Sequence, residues 1–169
     1  MLFVREIMSK IEKRMAAVSW CLFCAVLAVI CVLSFQSGSA TKALEKPFVE
    51  SVTSTVDRQL SAEAILTITF YIRQAGRAVL FLFLGFFGCC GSSLSFSRIN
   101  RWGRSICACA VLFCISYFTE KMKIFIEGRH YAFSECLESF IFAALGYFCA
   151  ILFLFLFERK KGSGAGFGG

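Results

Sequence analysis

Four apolar runs decide what this chain can become. They cover residues 18–35, 76–96, 105–119 and 136–157. Three of them match the length of about 20 residues that a helix needs to cross a bilayer, and the third run, the shortest, can extend to Lys121. Hydrocarbon offers no water to backbone N–H and C=O groups, so a spanning segment must bond internally, as a helix does. The expected fold is therefore all-α: an integral membrane four-helix bundle with an additional external amphipathic helix. Composition agrees. Of 169 residues 58% are hydrophobic and only 17% charged, against about a quarter charged in soluble domains.

The net charge of +7 is unevenly placed. Arg5, Lys10, Lys13, Arg14, Arg98, Arg101, Arg104, Arg159, Lys160 and Lys161 flank the runs on one side and meet only Glu6, Glu12 and Glu158. On the other side eight basic residues meet eight acidic ones. The positive-inside rule then puts both termini in the cytoplasm of a multi-pass cell-membrane protein. Residues 1–17 form a cytoplasmic N-terminal segment, 18–157 the four-crossing domain and 158–169 a cytoplasmic glycine-rich tail. Basic flanks on apolar runs fit anionic lipid headgroups, not nucleic acid. The first run is read as an uncleaved crossing, because it is long for a signal peptide.

The ten cysteines lie in or beside the apolar runs. Cys21 and Cys24 have CxxC spacing, but no second pair and a single histidine, His130, accompany them. A metal or redox site needs more convergent ligands, so no metal or cofactor is expected, and cysteine reads as a small apolar filler. Gly85, Gly88 and Gly91 stand three apart and should admit a close neighbouring helix. After Pro47, the residues Phe48, Val49, Val52, Val56 and Leu60 recur at helical spacing. That is the external amphipathic helix, within segment 41–62, either a lid or a plain connection.

Charges pressed against such runs are the functional candidates. Arg73 and Arg77 are four apart, on one helix face; interface anchoring is the plain alternative. Glu120 ends the third crossing. Arg129 lies in the return, and Glu135 opens the fourth crossing, where a carboxylate also suits a helix N-terminus.

These positions resemble the VanZ-like family, small bacterial membrane proteins named for a teicoplanin-resistance protein. Ser34, Phe35, Gln36 and Ser37 are similar to the family's element after the first helix. Arg73 takes its basic position, Gly85 its later glycine, Glu120 its acid, Gly128 and Arg129 its turn, Glu135 the following acid and Gly146 the last-helix glycine. Arg77 stands where the family has His, Thr119 replaces Asp, Lys123 replaces Gln and Glu127 replaces Pro. The resemblance implies an envelope protein that affects glycopeptide susceptibility.

Arg73, Arg77, Glu120, Arg129 and Glu135 are thus the expected site, at the outer rim of the bundle. Guanidinium groups grip phosphate or carboxylate bidentately. The expected function is non-catalytic binding of an anionic lipid, a lipid-linked wall precursor or a lipoglycopeptide. Two alternatives stand beside it. One is a structural subunit with a membrane partner or a second copy. The other is an acid/base enzyme using Glu120 or Glu135 on a lipid-linked substrate.

Overall fold

Segments that are apolar on every side are soluble only in lipid, and such segments make up this molecule. The computed structural model describes residues 2–35, 47, 62–96, 100–126 and 131–163, with side chains at 11–35, 47, 67–96, 100–126 and 131–156. Four long helices follow one another: α1 (Leu2–Phe35), α2 (Ala62–Ser95), α3 (Arg101–Lys121) and α4 (Phe133–Ser163). A 3-10 turn, Met122–Phe125, closes α3. No strand occurs among the described residues. The apolar spans within these elements are Ile11–Phe35, Thr67–Ser95, Arg101–Phe125 and Phe133–Leu156, all long enough to cross a membrane. The protein is an all-helical membrane bundle. The external helix expected within 41–62 lies almost entirely outside the described residues.

Hydropathy breaks are not backbone breaks here. Helix α2 runs through Arg73, Gln74 and Gly76 without interruption, and α1 extends from the basic N-terminal segment into the first span. Arginine and glutamine are good helix formers, so their polarity marks position and leaves the backbone helical.

Cross-helix contacts give the order up, down, up, down. Trp20 Nε1 on α1 donates to Ser95 Oγ at the end of α2, at 3.0 Å. Tyr147 on α4 donates to Ser105 near the start of α3, at 3.3 Å. Arg77, early in α2, meets Glu135 at the start of α4. Both ends of the described chain therefore lie at the end of the bundle that holds Trp20 and Ser95.

Lipid is as apolar as leucine, so close packing rather than water exclusion must join the helices. The α2–α4 crossing is the tightest. Gly85 lies against the backbone of Ala143, and Gly146 against the backbone of Leu82. Around them Phe81, Leu84, Cys89, Ala143 and Ala150 form the buried core, joined by Ile30 of α1 and Leu112 of α3. Gly88 and Gly91 face Phe23 and Trp20 of α1 instead. The three glycines thus serve two neighbours, not one. Large side chains such as Phe83, Ile106, Phe118, Phe148 and Phe155 point outward, as a lipid-facing surface requires. Hydroxyls inside the spans bond their own helix: Ser116 to Leu112 O at 3.0 Å and Ser139 to Glu135 O at 2.8 Å.

The expectation of cysteine as filler holds for Cys89 and Cys136, which are buried. It fails for Cys21, Cys24, Cys107, Cys114 and Cys149, which lie on exposed faces. A thiol is apolar enough to face lipid, so burial is not the condition for placing it in a span. All ten are free thiols.

Candidate functional site

At the end of the bundle opposite Trp20, four elements converge on one charged cluster. Helix α2 supplies Arg77, α3 supplies Glu120, the 3-10 turn supplies Lys123 and α4 supplies Glu135. Arg77 Nη1 pairs with Glu120 Oε1 and, at 2.7 Å, with Glu135 Oε2. Lys123 Nζ pairs with Glu120 Oε1 at 2.7 Å and with Glu135 Oε2 at 2.9 Å. Each cation touches both carboxylates, so the four side chains close a ring of alternating charge. A further bond runs from Arg77 Nη2 to the Glu135 carbonyl at 2.6 Å. One turn along both helices, Gln74 donates to Glu138.

Local geometry explains the convergence. A 3-10 turn eclipses side chains at i and i+3. Tightening the chain at Met122 therefore stacks Lys123 over Glu120. Lys121 turns away and lies over the Tyr131 ring, 5.2 Å from its centroid. Glu135 opens α4, where a carboxylate complements the helix dipole.

Burial is graded across the ring. The Glu120 side chain is 2% exposed and Lys123 10%, while Arg77 is 18% and Glu135 30% exposed. Glu120 is the fixed inner member and Glu135 the open outer one. The ring is neutral, which is how charge is tolerated where water is scarce. Glu120 Oε2 is buried without a hydrogen-bond partner among the described residues. It is an acceptor in waiting, because both cations bind Oε1.

Comparisons with protein-family models, with curated proteins and with solved structures found no match.

Of the residues expected from sequence, Arg77, Glu120 and Glu135 come together. Arg73 is exposed one turn earlier on α2. Arg129 lies outside the described residues. Lys123 was missed: it reads as an interfacial lysine beside Lys121, and its i+3 spacing from Glu120 is the signal that separates the two. Gln74 was missed as well, and no pattern in the sequence marks it. Among the described residues no group of three His, Cys, Asp or Glu side chains is placed to hold a metal.

Proposed function

We propose that this is a non-catalytic, multi-pass protein of a bacterial cell membrane, of VanZ-like type. In this reading the ring at its outer rim binds an anionic headgroup: that of an acidic lipid, a lipid-linked wall precursor or a lipoglycopeptide. Through that binding it alters teicoplanin-type susceptibility. One observation carries the reading: Arg77 and Lys123 both hold Oε2 of Glu135, the most exposed carboxylate of the ring. Glu135 thus occupies the place that a phosphate or carboxylate of the ligand takes. Binding is an exchange, in which the ligand's anion displaces Glu135 and keeps both cations while Glu120 stays buried. The resemblance supports it further, since its positions at Arg73, Gly85, Glu120, Glu135 and Gly146 fall on α2, the end of α3 and α4.

Exchange makes a sharp expectation. Farnesyl diphosphate, a short-chain stand-in for a lipid-linked precursor, is titrated calorimetrically into protein in neutral detergent. Glu135→Gln removes the competing charge and binds it roughly tenfold more tightly, while Lys123→Gln and Arg77→Gln each weaken binding at least as much; these are the sizes expected of one charge-assisted contact. Unchanged affinity in Glu135→Gln sinks the exchange. Expression in a teicoplanin-sensitive host should then raise tolerance, and Lys123→Gln should abolish the rise.

The closed, neutral form of the ring favours a second reading, a structural subunit whose ion pairs fix helix register. It is the outcome if none of these variants changes diphosphate binding while each lowers the folded yield.

Orientation has its own test. With both termini cytoplasmic, alkaline phosphatase fused after residue 41 is active, and fused after residue 161 it is inactive. A green fluorescent protein at the latter position fluoresces. The reverse pattern places the ring on the cytoplasmic face and removes wall precursors from its reach.

A further inference from the structure

The opposite end of the bundle holds a cleft that the ring does not explain. It encloses about 440 Å³ and lies between α1, α2 and α3, with Tyr147 of α4 behind it. That volume falls within the range of about 300–1,000 Å³ usual for ligand pockets. The cleft exists because α1 packs on α2 and α3 packs on α4, while α1 and α3 touch only sparsely. Gly88 draws Phe23 onto α2 and sets the near wall. The lining is carbon almost throughout, with Trp20 and Phe23 on one side and Leu112 on the other.

One charged residue borders this lining, Arg104, which shows the cleft its carbon stem and holds its guanidinium at the edge. Its Nη1 makes a long bond of 3.4 Å to Phe96 O. Its Nε is buried with no hydrogen-bond partner among the described residues. A buried guanidinium N–H without a partner is costly, and a phosphate oxygen answers both its charge and its donor. Arg104 also belongs to the side of the sequence that carries the whole charge surplus of +7. Basic pockets between membrane helices on such a face suit acidic headgroups.

We propose that this cleft is a binding site for one anionic phospholipid, one acyl chain between α1 and α3 and the phosphate on Arg104. It is separate from the ring and does not depend on what the ring binds. The apolar walls take the chain, and the single arginine selects the charge of the head.

Trp20 lines the cleft and reports on it. The chain has two tryptophans, and the other, Trp102, is 79% exposed, so Trp102→Phe leaves Trp20 as the only emitter. The protein is placed in nanodiscs containing a low, matched fraction of brominated-chain phosphatidylglycerol or brominated-chain phosphatidylcholine. The phosphatidylglycerol should quench Trp20 with a roughly fivefold preference, the size of one basic contact with an acidic surface. Arg104→Gln should abolish most of that preference, although Arg98, Arg101 and Lys160 remain to enrich acidic lipid around the protein. A Cβ at Gly103, on the cleft wall, meets nothing within 4 Å. Gly103→Phe should therefore fill the space without altering any charge and should reduce quenching by both lipids. Equal quenching by the two lipids overturns the proposal, as does an undiminished preference in Arg104→Gln or undiminished quenching in Gly103→Phe.

Discussion

Gly85→Ala and Gly146→Ala each destabilise the bundle by about 1–3 kcal/mol, the range for forcing atoms into a well-packed core. A Cβ at Gly85 lies 2.8 Å from the Ala143 carbonyl carbon and 3.0 Å from Tyr147 N; one at Gly146 lies 2.7 Å from the Leu82 carbonyl carbon and 3.0 Å from Leu82 Cα. Backbone cannot rotate aside as a side chain can, so α2 and α4 must move apart. That separation loosens the packing on which membrane helices depend. Gly85→Leu should leave little folded protein in the membrane. The two alanine variants should also be less harmful together than their sum, because one displacement makes room for both methyls. Gly76 and Gly103 supply the control: an added Cβ there meets nothing within 4 Å. Alanine at those positions costs nothing, and its helix propensity exceeds that of glycine by up to about 1 kcal/mol. Unfolding midpoints in detergent decide the matter, and equal midpoints for Gly85→Ala and Gly76→Ala refute the crossing.

The helices were legible because their determinant is local. A run of apolar residues of bilayer length has few other fates. The partners of those helices were less legible. Gly85, Gly88 and Gly91 announce close approach, yet at three residues apart they turn around the helix and divide between α4 and α1. The site was legible at the level of charge type. Arg77, Glu120 and Glu135 stand beside apolar runs, where unpaired charge is expensive, and that expense brings them together. Lys123 was hidden by geometry. By charge and hydropathy it and Lys121 are equivalent interface lysines; only the i+3 spacing from Glu120 separates them, and the 3-10 turn at Met122 sends one inward and the other to Tyr131. Arg104 was hidden by its company, as one of ten basic flanking residues, because sequence does not distinguish a guanidinium that faces water from one at the edge of a cleft.

Breaking the ring on one side should cost more than breaking it on both. Glu120→Gln leaves Arg77 and Lys123 sharing Glu135, a surplus positive charge in a nearly dry site. Arg77→Met leaves Lys123 between two carboxylates, a surplus negative one. Removing one partner of a buried pair typically costs about 3–5 kcal/mol, mostly the penalty of the abandoned charge. Glu120→Gln should sit at the upper end, since Glu120 is 2% exposed and touches both cations. Arg77→Met should sit lower, since its 18% exposure lets water relieve the site. The double variant restores neutrality and keeps the Lys123–Glu135 pair, at 2.9 Å in the intact protein. It should therefore be more stable than Glu120→Gln alone, with a coupling of about 1–3 kcal/mol between the two positions. Lys123→Met combined with Glu120→Gln should show the same rescue through the Arg77–Glu135 pair. Strictly additive losses in both cycles mean that the four charges do not act as one ring, and Glu135 then cannot be the exchangeable member of it.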